Sequence, residues 1–106
     1  MEKISSEKRT LAELVYGLCQ QVPKGKVTTY GEIARKLGIK SYRAIGQALR
    51  KNTYSQVPCH RVVCSDGSLG GFRGKMDSEE KLRLLTKEKV TIINNKVDLG
   101  KCLFKW

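Results

Sequence analysis

No stretch of the 106-residue chain is apolar and long enough to cross a bilayer. Its opening segment, MEKISSEKRT, lacks the apolar core of a secretory signal. A cytoplasmic protein is therefore expected. In that compartment its four cysteines, Cys19, Cys59, Cys64 and Cys102, are expected as thiols rather than disulfides. No two of them are spaced C-x-x-C, so a cysteine-rich zinc site is not expected. Prolines number only two and there is no long polar tract, which argues against disorder. Repeats, linkers and low-complexity runs are absent too. One monomeric domain over residues 1–106 is the expectation, large enough to bury a core without staples.

Acidic residues are scarce, with 10 against 21 lysines and arginines and a net charge of +11. Between residues 24 and 51 the imbalance is sharpest. Lys24, Lys26, Arg35, Lys36, Lys40, Arg43, Arg50 and Lys51 face a single acid, Glu32. A concentrated basic patch suits a polyanion, nucleic acid first. Charge alone leaves a generally basic, solvated surface equally open.

Apolar spacing supplies the elements. Leu11, Leu14, Val15, Leu18 and Cys19 recur at helical intervals, predicting a helix that ends near Gln21, before Pro23 and Gly25. Thr29-Tyr30-Gly31-Glu32 reads as a capping box opening a short helix with Ile33, Ala34 and Leu37 inward and Gly38 as its stop. Ser41 caps a second helix, Tyr42 to Lys51, with Ile45, Ala48 and Leu49 inward. Two short helices joined by a tight glycine-containing turn form a helix-turn-helix, and the basic excess falls on it. A helical pair with no DNA role remains the alternative. Val62-Val63-Cys64 reads as a strand, and Asp66-Gly67 as a hairpin turn whose return arm runs toward Phe72. Gly67, Gly70, Gly71 and Gly74 mark close backbone approach or mobility. Asp77 and Glu80 cap a helix carrying Leu82, Leu84 and Leu85. A terminal hairpin turns at Asn94-Asn95. The class is mainly α with small β hairpins, a winged-helix-like domain containing a helix-turn-helix.

One segment carries chemistry: Val57-Pro58-Cys59-His60-Arg61-Val62-Val63. Pro58 stiffens the backbone that presents Cys59. His60 is the only histidine in the chain. An imidazole beside a thiol is what an activated cysteine needs, because the thiolate is the nucleophile. Neighbouring side chains of an extended strand point to opposite faces, so the pair requires a turn or a bridging water. A Cys-His dipeptide by itself favours a structural cysteine beside a surface histidine.

The combination of PCHRVV with TTYGEIA upstream, RAIGQALRKN between and KLRLLTKE downstream resembles the active-site domain of the O6-alkylguanine-DNA alkyltransferases. The likeness runs from about Leu11 to Glu88. It implies a DNA repair protein that flips O6-alkylguanine out of duplex DNA and moves the alkyl group irreversibly to its own cysteine. Such a protein acts once and needs no cofactor. By this resemblance Cys59 is the acceptor, His60 the base acting through a water, and Glu88 the acid that orients His60. Tyr30 hydrogen-bonds the flipped guanine and helps it leave. Arg43 fills the gap in the base stack. Ser41, Tyr42, Ala44, Gly46 and Arg50 line the DNA-facing helix. Asn52 ties that helix to the active-site turn. Pro58 supports the pocket, the carbonyls of Cys59 and Val62 and the N–H of Arg73 read guanine edges, and Phe72 belongs to the lid.

The chain departs from the family pattern in places. Members often carry a separate N-terminal domain, which is not evident here. Tyr42 stands where a small residue is common, Phe72 where tyrosine is frequent, and the loop from Asn52 to Cys59 is about one residue short. Two other classes compete. An alkyltransferase-like module binds the lesion without transfer, but such proteins typically lack the acceptor cysteine. A winged-helix transcription factor explains the basic helices and leaves PCHRVV without a role.

Overall fold

A computed structural model of the chain describes residues 10–70 and 79–106. Helix α1 (Leu11–Cys19) starts at a full capping box: the Glu13 N–H donates to Thr10 Oγ1, and the Thr10 N–H to the Glu13 carboxylate. The helix stops two residues before its expected end. Gln21 and Val22 close shorter bonds to Leu18 and Cys19, which turn the chain toward Pro23.

Strand β1 (Thr28–Thr29) leads directly into α2 (Tyr30–Leu37), with Thr29 as the N-cap. Only half of the predicted capping box forms here. Thr29 Oγ1 accepts from the Glu32 N–H at 3.0 Å, while the Glu32 carboxylate turns outward to Arg35 at 2.6 Å. Gly38 ends the helix at φ 73°, a left-handed position that suits glycine. Ser41 caps α3 (Tyr42–Arg50) by accepting from the Ala44 N–H at 3.1 Å. Ile33 and Ala34 of α2 and Ile45, Ala48 and Leu49 of α3 are buried against Val15, Leu18 and Cys19 of α1. The predicted helix-turn-helix is therefore present and backed by a third helix.

Cys59–Arg61 form one turn of 3-10 helix, followed by β2 (Val62–Val63). Strand β2 pairs in parallel with β1, Thr28 opposite Val62 and Thr29 opposite Val63. The expected turn at Asp66-Gly67 forms, with the Cys64 N–H donating to the Ser68 carbonyl and the Gly67 N–H to that of Cys64, and the chain then bridges to β4 at Ser68–Lys96; the return arm toward Phe72 runs into residues outside the described ones. Residues 71–78, including Gly71, Phe72, Arg73, Gly74 and Asp77, lie outside the described residues, so the lid and the Asp77 cap are not placed.

Helix α4 (Glu79–Lys87) is followed by the hairpin β3 (Ile92–Ile93) and β4 (Lys96–Val97), then α5 (Leu99–Cys102). Asn94 and Asn95 both take positive φ, 54° and 64°, as a two-residue primed turn requires. Two apolar clusters meet at β2. Val62 packs with α1–α3, and Val63 with Val27, Leu69, Leu85, Val90 and Val97. The alternation of a strand thus places the Cys59–Arg61 turn at the seam between the two halves of the core. Among the described residues no helix is long and apolar enough to cross a membrane.

Candidate active site

Pro58 (φ −81°, ψ 67°) is the centre of an inverse γ-turn, in which the Cys59 N–H donates to the Val57 carbonyl at 2.8 Å. The 3-10 turn follows at once, with the Arg61 N–H on the Pro58 carbonyl and the Val62 N–H on that of Cys59. The extended geometry that would separate Cys59 from His60 does not exist here. Asn52, 3% exposed, holds the approach: its Nδ2 donates to the Val57 carbonyl at 3.2 Å and its Oδ1 accepts from the Tyr54 N–H at 2.9 Å. Its own N–H donates to the Leu49 carbonyl in α3. Two of these bonds join α3 to the turn, and the third closes the loop at Tyr54.

Cys59 is buried, so a reaction partner has to be brought in to it. His60 Nε2 lies 3.0 Å from Glu88 Oε2. Glu88 sits at the C-terminal end of α4, where the helix dipole disfavours an acid. Arg61 compensates with a two-pronged contact, Nε to Oε1 at 2.9 Å and Nη2 to Oε2 at 2.7 Å, while Nη1 donates to the Val22 carbonyl at 2.8 Å. Burial pushes the Glu88 carboxyl up, but the hydrogen bonds from Arg61 and His60 and their charges overcome it, leaving it below its ordinary value. Burial pushes His60 down, and Glu88 only partly restores it. His60 is therefore neutral near pH 7 and able to take a proton.

Tyr30, at the start of α2, has its hydroxyl pushed up to about 12, first by burial and then by the nearby thiols Cys64, Cys59 and Cys19. It is a hydrogen-bond donor at neutral pH. A side-chain carbon at Gly70 (φ 71°) would lie 3.4 Å from Cys64 Sγ and 3.7 Å from the Tyr30 hydroxyl, so these three form one wall. All four cysteines are free, as expected. Burial pushes the Cys19 thiol up to about 12, which makes it a poor nucleophile. No metal-binding cluster is found among the described residues.

The outer face of α3 carries Arg43, Gly46, Gln47 and Arg50 at helical spacing, opposite the buried Ile45, Ala48 and Leu49. Ser41, Tyr42, Arg43 and Arg50 are exposed, and Ala44 and Gly46 half-buried. Nothing lies within 4 Å of where a Gly46 side chain would begin, so the backbone there is open to close approach. The Tyr42 hydroxyl lies back over Gly31, 3.7 Å from where its side chain would begin.

Two site residues escaped the sequence reading. Arg61 stands beside His60 in PCHRVV, and an acid at a helix end asks for a cation. Lys81 is 1% exposed, with Nζ donating to the carbonyls of Val62, at 2.6 Å, and Leu69. Its signal was spacing: Lys81, Leu84, Leu85 and Glu88 fall at i, i+3, i+4 and i+7, one face of α4.

Comparison with known proteins agrees with this geometry. A family model described as the DNA binding domain of 6-O-methylguanine DNA methyltransferase matches residues 10–90. A methylated-DNA–protein-cysteine methyltransferase of Candida glabrata is 49% identical over 83 residues, 76% of this chain and 39% of the relative. A bifunctional methyltransferase/endonuclease of Picrophilus torridus is 42% identical over 96 residues, 89% of this chain and 32% of the relative. The chain spans about a third to a half of the length of such curated relatives. The crystal structure of S. pombe Atl1 in complex with damaged DNA containing O6-carboxymethylguanine superposes with a TM-score of 0.79 at 31% identity, covering 90% of this chain and 94% of that one. By sequence and by fold, the chain belongs to the 6-O-methylguanine DNA methyltransferase family and corresponds to its DNA-binding domain.

Proposed function

We propose that this domain binds duplex DNA through α3, flips an O6-alkylguanine into the pocket beside Tyr30, and transfers the alkyl group to Cys59 in a single irreversible turnover. The observation that carries the reading is the His60–Glu88–Arg61 network built around the turn that holds Cys59. The resemblance adds that modules which only bind lesions typically lack the acceptor cysteine, which stands here at position 59.

The step balances without a cofactor. His60 takes the thiol proton, through a water where direct contact is lacking. The Cys59 sulfur forms a bond to the alkyl carbon as the carbon–O6 bond breaks. The bonding pair stays on guanine, whose developing charge the Tyr30 hydroxyl stabilises by donating a hydrogen bond. Glu88 stabilises the imidazolium, as the acid of a catalytic triad does. The thioether is a stable product with no leaving group to return, so the protein is consumed. Arg43 enters the stack in place of the flipped base, offsetting an extrusion that costs a few kcal/mol. The remaining basic residues contact phosphates.

A second reading, lesion binding without transfer, is favoured by the match to Atl1 held on damaged DNA. The two separate in one assay. Protein is titrated into duplex containing O6-methylguanine, and the modified base remaining in the DNA is quantified. Loss of one lesion per protein supports transfer, whereas tight binding with the lesion intact supports the second reading.

A further inference from the structure

The basic run from residue 24 to 51 does not stay together in the fold. Lys24 and Lys26 stand on the turn between α1 and β1, outside α2 and α3. That turn lies against the end of α4: a side-chain carbon at Gly25 would be 3.6 Å from the Glu88 carbonyl oxygen. It also meets the C-terminal segment. Lys26 Nζ donates to the Lys101 carbonyl at 3.1 Å, the Val27 N–H to that of Cys102 at 2.9 Å, and the Phe104 N–H to that of Val27 at 2.7 Å. Three segments far apart in sequence thus bring Lys24, Lys26, Lys87, Lys89, Lys101 and Lys105 together, and all six are exposed. Their chain neighbours Val27, Val90 and Cys102 are buried in the second apolar cluster, so the lysines stand on the outside of that half. Helix α3 stands on the first cluster, with Arg43 and Arg50 on its outer face.

Acids do not offset this patch. Among the described residues of the three segments the acids are Glu88, whose carboxylate is taken by Arg61 and His60, and Asp98, which accepts from the Gly100 N–H at 3.1 Å. Like charges crowded on a small domain repel, and a bound polyanion relieves the repulsion. The residue type narrows the anion. Arginine's planar fork suits fixed, two-pronged pairing with carboxylates, whereas lysine is a hydrated point charge suited to diffuse, salt-dependent contact with phosphates.

We propose that this lysine patch is a second DNA-binding face, which holds the backbone of a second duplex segment while α3 engages the first. The inference deepens the proposed function and rests on its reading of α3 as the first contact. A protein consumed by one lesion has to search much undamaged DNA, and two faces let it pass between duplexes without release into solvent.

The test uses the full chain and two short undamaged duplexes, one fixed to beads and one fluorescent. Wild type loaded on the beads is expected to retain the fluorescent duplex and to lose it as salt rises. Lys24→Gln/Lys87→Gln/Lys105→Gln should cut retention about tenfold, while affinity for a single duplex, read by anisotropy, falls less than about threefold. Lys24→Arg/Lys87→Arg/Lys105→Arg keeps the charges and should keep retention. Arg43→Ala/Arg50→Gln should weaken both measurements together. Retention that persists in the glutamine variant overturns the proposal. So does an equal loss of single-duplex affinity in that variant, which would place the lysines under the same duplex as α3. Wild type that retains labelled poly-glutamate but no second duplex also overturns it, and assigns the patch to an acidic protein. Undiminished single-duplex binding by Arg43→Ala/Arg50→Gln overturns the reading of α3 instead, and the glutamine variant still decides the role of the patch.

Discussion

Replacing Glu88 by glutamine tests stability and chemistry together. The carboxylate receives two hydrogen bonds from Arg61 and one from His60, between side chains only 12–13% exposed. Three charge-assisted bonds at roughly 1.5–3 kcal/mol each set an upper bound. Glutamine keeps one acceptor oxygen, and the partial exposure lets water reach Arg61, so a net loss of about 2 kcal/mol is expected. For a domain of this size that lowers Tm by roughly 8–16 °C. The Glu88 value is depressed by folding, so its stabilisation is complete above its ordinary value of 4.5 and fades as pH falls through the lower folded one. The difference between wild type and variant, followed by urea denaturation, should therefore hold from pH 5 to 7 and narrow below pH 4. In transfer, His60 loses both influences that raise its basicity, and the rate at pH 7 should fall about 10- to 100-fold. Alkaline pH supplies thiolate directly and should recover most of it. A variant with wild-type stability and a wild-type rate at every pH refutes the assignment of Glu88.

Other perturbations separate the roles. Arg43→Ala should impair repair of duplex lesions far more than reaction with free O6-benzylguanine; equal losses on both substrates would remove the stacking role. Gly67→Ala places a carbon 2.6 Å from the Val97 carbonyl oxygen at φ 90°, and should cost about 2–4 kcal/mol by chemical denaturation. Methylation of Cys59, which is packed within the α1–α3 core, should lower Tm by several degrees, since overpacking costs roughly 1–3 kcal/mol. An unchanged melting curve after complete methylation would show slack around the sulfur.

Local rules carried much of the sequence reading. Thr29, Gly38, Ser41 and the Asn94-Asn95 turn act within a few residues of themselves, and each was legible. The pairing of His60 with Glu88 and of Asn52 with the Val57 carbonyl, contacts 28 and 5 positions apart, was expected only from the combination of motifs. The parallel pairing of Val62-Val63 with Thr28-Thr29 was not. Asp66-Gly67 is a genuine local turn signal, whereas the partner of Val62-Val63 stands more than thirty residues upstream, beyond the reach of local rules. Lys81 was hidden for a related reason: in EEKLRLLTK it resembles one more solvated charge, and only the fold brings the Val62 and Leu69 carbonyls to it. Phe72 and Arg73, predicted for the lid and for guanine recognition, stand as expectations outside the described residues.

The central claim concerns one sulfur atom. Protein is incubated with excess duplex containing O6-methylguanine, its intact mass is measured, and the modified peptide is sequenced by fragmentation. The account predicts a gain of a single methyl group on Cys59, no second addition with longer incubation, and no gain in Cys59→Ala despite retained DNA binding. An unmodified wild-type protein on repaired or unrepaired DNA, or a methyl group on Cys64 or Cys19, would contradict it.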